Sequence, residues 1–155
     1  MPQLVKGGKY VFGWVNVSPT GIIKIPYEAR KEYQLNSFDR LFILSGSTTS
    51  GGFSIIQNEC LKNSSLSLIL QKFPNLAQFK IANGEPIKYH HHYICWTELS
   101  EKEDIHLPVK TIQTYDISPG DMLLSVRGSS LGVGFIHRGP IIQEAKKHPE
   151  IPCYY

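Results

Sequence analysis

Two Gly/Ser-rich segments hold the residues best placed by type to bind something: Ser45-Gly46-Ser47-Thr48-Thr49-Ser50-Gly51-Gly52 and Arg127-Gly128-Ser129-Ser130-Leu131-Gly132-Val133-Gly134. Such runs offer backbone N–H groups and hydroxyls with no bulky side chain in the way, a construction that cradles anions. His137 and Arg138 follow the second run, and Gly139-Pro140 marks a helix start, itself favourable for phosphate or carboxylate. Ser45, Gly46, Ser47, Arg127, Gly128, Ser129, Ser130 and Arg138 are therefore the candidate residues for a small anionic ligand. The same segments also read as tight hairpin turns whose glycines satisfy positive φ.

Two other constellations do not support chemistry. Gly128-Ser129-Ser130-Leu131-Gly132 matches the G-x-S-x-G pattern of a hydrolase nucleophile, which works only on a strand-to-helix elbow. Here a further strand is expected next, and the matched run 46–50 lacks the central serine. On the strand expected at His90-His91-His92 only His90 and His92 share a face, and no third metal ligand is set by spacing. Cys60, Cys95 and Cys153 are odd in number and far apart, so neither a disulfide framework nor a structural zinc site is indicated. No catalytic residue, metal or cofactor is expected.

The elements that must position these residues are set by an internal repeat. At an offset of 82, without a gap, Lys6 meets Lys88, Trp14 meets Trp96, Ser18 meets Ser100, Pro26 meets Pro108 and Tyr33 meets Tyr115. Asp39, Leu41, Gly46, Ser47, Gly52 and Phe53 likewise meet Asp121, Leu123, Gly128, Ser129, Gly134 and Phe135. Unrelated sequences would give roughly three identities over this length. Apolar character recurs too, as in Ile23 with Ile105 and Leu44 with Val126. Residues 1–76 and 77–155 form the two repeats, each with a short helix after it, in one compact body. Trp14 and Trp96, large aromatics at matched strand positions, are expected to be substantially buried.

Aromatic and β-branched runs place strands at 10–18, 22–25, 40–44 and 53–57, with a short helix at 27–33 begun by Pro26. The second copy repeats this at 93–99, 105–107, 122–126 and 134–137, with a helix at 109–115. Further helices fit 64–73 and 140–147. With 41% hydrophobic residues, the chain is rich enough in apolar side chains for a sizeable core. No run of about eighteen apolar residues exists, and the first residues lack a signal peptide's apolar core, so a cytoplasmic protein without membrane contact is expected.

The run Gly21-Ile22-Ile23-Lys24-Ile25-Pro26-Tyr27-Glu28-Ala29-Arg30-Lys31, followed by Asp39-Arg40-Leu41, resembles the AbrB, SpoVT and MazE family of small transcription factors and antitoxins. Ile117-Ser118-Pro119-Gly120-Asp121 carries the end of the same pattern in the second copy. The resemblance covers about a third of each copy. It implies a mainly β, internally duplicated swapped-hairpin barrel, a dimer fused into one chain, with short helices. It also implies a non-enzymatic DNA-binding regulator. The arginine that follows the glycine in that family is Ile22 here and Asp104 in the second copy.

Charge is uneven between the copies. Residues 5–56 carry Lys6, Lys9, Lys24, Arg30, Lys31 and Arg40 against Glu28, Glu32 and Asp39, net +3; residues 87–138 are net −1, with five basic and six acidic residues. Duplex DNA is therefore expected on Lys6, Lys9, Lys24, Arg30 and Lys31 of the first copy, through phosphate neutralisation and counterion release. The alternative is a binding module that keeps the barrel but has lost DNA, taking a small anion or a protein partner. Further homo-oligomerisation is compatible with either.

Overall fold

The computed structural model describes residues 10–128 and 132–155. The first copy contributes β1 (Val11–Asn16), β2 (Ile22–Lys24), α1 (Tyr27–Glu32), β3 (Arg40–Ser45) and β4 (Phe53–Gln57). A helical segment follows: α2 (Asn58–Lys62), a 3-10 turn (Ser65–Ser67), α3 (Leu68–Lys72) and α4 (Pro74–Ala77). The second copy has β5 (Ile87–Tyr89), β6 (His92–Glu98), β7 (Asp104–His106), α5 (Val109–Thr114), β8 (Met122–Arg127), β9 (Gly132–Ile136), α6 (Pro140–Ala145) and β10 (Cys153–Tyr154). Strand accounts for 33% of residues and helix for 23%, so the chain is mainly β with short helices.

The equivalent elements share their local chemistry. Pro26 and Pro108 precede α1 and α5, their fixed φ leading each helix in. Asp39 accepts the Asn36 N–H at 2.9 Å and Asp121 accepts the Ser118 N–H at 2.8 Å, so each closes the same side-chain turn before β3 or β8. Ser18 accepts the Ile22 N–H and Ser100 the Asp104 N–H, building matched turns before β2 and β7. These bonds give the recurring serine and aspartate residues a structural task.

Strand pairing exchanges partners between the copies. β1 pairs antiparallel with β8, Trp14 opposite Leu124 and Val15 opposite Leu123. β6 pairs with β3 in the corresponding register, Trp96 opposite Phe42 and Thr97 opposite Leu41. β2 pairs with β7, and there Ile23 faces its own counterpart, Ile105.

The ungapped offset ends at the Gly/Ser hairpins. Ser45 opposite Phe53 closes a connection over 46–52, whereas Arg127 opposite Val133 closes one over 128–132, two residues shorter. Phe53 therefore corresponds to Val133 and Ile55 to Phe135, not Phe53 to Phe135. Ser54 faces its own counterpart Gly134 where β4 pairs with β9. Glycine and serine in such turns are interchangeable enough to hide a two-residue deletion.

The expected closed barrel is not formed. One sheet runs β10-β1-β8-β9-β4-β3-β6-β5, and β2-β7 is a separate ribbon. The outer edges of β1 and β6, which closure would need, are occupied by β10 and β5. The central core draws on both copies, with Ile23, Leu41, Phe53, Ile105, Leu123 and Phe135 all buried. On the outer face of the sheet, Phe42, Leu44, Ile56 and Ile94 pack under α2–α4. Val11, Leu124, Val126 and Ile136 pack with α6 and Ile151 in a cluster of their own. Trp14 and Trp96 belong to these outer clusters and are half-buried, not core residues.

Candidate binding surfaces

The β2–β7 ribbon carries Lys24 and the two positions, Ile22 and Asp104, at which the family resembled in sequence has its arginine. Its outward positions are Ile22 and Lys24 on β2, and Asp104 and His106 on β7. Lys24 stands opposite Asp104 and Ile22 opposite His106, whose Nε2 lies 2.7 Å from the Thr20 carbonyl. The two positions where the family has arginine thus present an apolar group and a carboxylate.

Arg30 does not project freely from α1. Its Nε donates to the Ile25 carbonyl at 3.1 Å, its guanidinium packs over the Tyr27 ring, and its terminal nitrogen forms an ion pair with Glu103 of the second copy. A phosphate at Arg30 would have to displace that carboxylate. Lys24 and Lys31 are exposed, and neither forms an ion pair among the described residues. Lys6 and Lys9 lie outside the described residues.

The two Gly/Ser hairpins do come together. Gly46, Ser47 and Ser50 from one, and Gly128 and Gly134 from the other, line a shared cavity of about 250 Å³ beside the β4–β9 pairing. Their polar groups are used within the fold. The Gly46 N–H donates to the Gly52 carbonyl, Ser47 Oγ accepts the Ser50 N–H, and Ser45 Oγ accepts the Tyr93 N–H at 2.9 Å. Neither arginine lines the cavity. Arg127 makes a bidentate pair with Glu32 at 2.7 and 2.5 Å, and this hydrogen bonding holds the Glu32 carboxyl below its ordinary value. Arg138 donates to Asp116 at 3.0 Å and to the Thr48 carbonyl. Over its described residues the first hairpin is thus closed by its own hydrogen bonds, with Arg138 held across it by Thr48 and Asp116, and Arg127 turned to Glu32. Ser129 and Ser130 lie outside the described residues.

The histidine run is split, with His90 and His91 in a turn and His92 opening β6. His90, at φ +53°, and His91 connect β5 to β6, where Tyr89 pairs with His92. The expected shared face of His90 and His92 therefore does not exist. Among the described residues no group of three His, Cys, Asp or Glu side chains could hold a metal ion, and no helix is long and apolar enough to cross a membrane. β8 ends at Arg127 and β9 begins at Gly132, so the element after the G-x-S-x-G run is a strand and not the helix that follows a nucleophile elbow.

A third surface was not read from sequence. Trp14, Met122, His137, Ile142, Lys146 and Cys153 line an open groove of about 530 Å³ between β1, β8 and α6. The paired tryptophans were visible in the sequence, but the unequal covering of their two sites depends on segments outside the repeat. No protein-family model, curated protein or solved structure matches the chain.

Proposed function

We propose that the chain is a fused, strand-exchanged pseudo-dimer of the AbrB type that serves as a non-enzymatic binding module and no longer uses its β2–β7 ribbon as a DNA reader. The observation that carries this reading is the pairing of Arg30 with Glu103 across the two copies. Lys24 opposite Asp104 and the replacement of both family arginines point the same way. Non-specific DNA affinity comes from cations free to displace counterions. A guanidinium already neutralised by a carboxylate contributes little of it.

The regulator reading retains one specific support: Lys24 and Lys31 are exposed and form no ion pair among the described residues. Fluorescence anisotropy of a labelled random duplex across several salt concentrations separates the two. The module reading expects no saturable binding at low salt, and weak salt-sensitive binding once Glu103→Gln frees Arg30 and Asp104→Asn removes the negative charge opposite Lys24. Tight wild-type binding, with a salt slope that flattens by about two when Lys24 and Lys31 are both changed to Gln, would establish DNA as the partner instead.

A further inference from the structure

Trp14 and Trp96 hold the same place one repeat apart, Trp14 opposite Leu124 and Trp96 opposite Phe42. Around Trp96 the chain supplies an aromatic ring, a carbonyl and a cation. Phe79 meets the indole edge-on, with ring centroids 5.4 Å apart and planes at 72°. Two residues further on, the Ile81 carbonyl accepts the indole N–H at 2.7 Å. The Arg40 guanidinium lies over both rings, 5.3 Å from Phe79 and 5.5 Å from Trp96.

Around Trp14 that cover is missing. Met122 stands at the position equivalent to Arg40, the groove beside it is open, and among the described residues the Trp14 indole N–H has no hydrogen-bond partner. Lys146 at the rim forms no ion pair among the described residues, while His137 faces Asp121 at 3.7 Å. The groove thus combines an apolar floor, a directional donor and one uncompensated positive charge.

We propose that this groove receives a peptide segment of a partner protein carrying an aromatic–acidic–aliphatic sequence. The aromatic ring seats on Trp14 and Met122, the acidic residue faces Lys146, and the carbonyl two residues after the aromatic accepts the Trp14 indole N–H. The chain's own Phe79-Lys80-Ile81 on Trp96 is the template for the two outer positions. Edge-on aromatic and sulfur–aromatic contacts both favour a ring at this place, and the volume lies in the range of sites for organic groups. The acidic preference follows from Lys146.

This rests on the reading of the chain as a binding module, yet the two fail separately, since DNA anisotropy reports on the β2–β7 ribbon and the following titration on the Trp14 groove. The probe is an acetylated, amidated peptide of residues 77–83 with Lys80→Glu, added to the ¹⁵N-labelled full chain while its two indole signals are followed. Trp14→Phe assigns them, and the unchanged Trp96 signal certifies the fold of that variant. The Trp14 signal should move downfield and saturate with a dissociation constant on the order of 1 mM or tighter, while the Trp96 signal stays fixed. A peptide with Phe79→Ala should bind at least about tenfold more weakly. Lys146→Glu in the protein should reverse the preference between the Lys80→Glu peptide and the parent peptide that keeps Lys80. An unmoved Trp14 signal, equal binding of the Phe79→Ala peptide, or no response of the charge preference to Lys146→Glu overturns the proposal. So does a Trp14 shift that appears on raising protein concentration alone, because the occupant is then a second copy of the chain.

Discussion

Glu103 stands where the first copy has Gly21, one repeat apart, with φ of +64° against +86°. Both positions turn the chain into the central ribbon, and only one of them uses the residue that tolerates a left-handed backbone. The side chain gained at Glu103 is the one that engages Arg30.

Equivalent substitutions at this turn should therefore have opposite outcomes. Glu103→Gly relieves a strain of about 1 kcal/mol or more and loses a partly exposed ion pair worth about 0–1 kcal/mol, so urea denaturation should show stability unchanged or slightly raised. Gly21→Ala keeps the positive φ and drives a Cβ into the Leu107 carbonyl, so it should destabilise by well over about 1 kcal/mol.

Tyr115 ties the copies together by donating its hydroxyl to the Ile43 carbonyl at 2.6 Å, with both residues buried. Removing only the oxygen, in Tyr115→Phe, should cost about 1 kcal/mol in chemical denaturation with the unfolding slope unchanged. A loss within error would mean that this bond does not contribute to holding the copies together.

Alkaline pH should loosen the fold. Burial pushes the Cys95 thiol up to about 11 from 9.0, and burial also holds the Tyr115 phenol well above 10.0. In each case the native state keeps a proton that the unfolded chain releases, so stability falls as pH rises, starting near 9 with Cys95. Melting temperature followed between pH 8 and 11 should decline, and Cys95→Ala should remove the early part of that decline.

His148 should give a gentler dependence of the same sign. Hydrogen bonds to Glu150 and then Glu144 raise its value above 6.5, joining α6 to the residues that lead to β10. The raised value makes this contribution complete below about pH 6.5 and lost as pH climbs through the folded-state value. At the acid end it declines as Glu150, lowered by its own backbone hydrogen bond and then by His148, takes up a proton. Amide exchange, corrected for intrinsic rates, should show the greatest protection of residues 146–154 near pH 6, and His148→Gln should flatten that profile.

Much of the architecture was legible because it is local. The ribbon strands and the two short helices lie where apolar alternation and the Ile25-Pro26 and Leu107-Pro108 steps put them, since each is decided by a few neighbouring residues. β5 and β10 escaped notice because three-residue and two-residue strands have no periodicity to read and exist by pairing with β6 and β1. The surface chemistry was less legible for the same reason. Arg30 reads as a free cation until Glu103, 73 residues away, is brought beside it, and Arg127 until it meets Glu32. The same short strands occupy the two edges of the open sheet.

The exchange of strands also governs how the chain must be made. Val11 pairs with Val126, so β1 cannot find its inner neighbour until most of the polypeptide has left the ribosome. At typical synthesis rates that wait is on the order of ten seconds, during which an apolar strand has no native partner. β3 and β4, by contrast, can form their hairpin early, and β6 then docks on it as soon as it emerges. Among the described elements, vectorial folding therefore begins with β3 and β4, and β1, synthesised before them, is among the last to be secured.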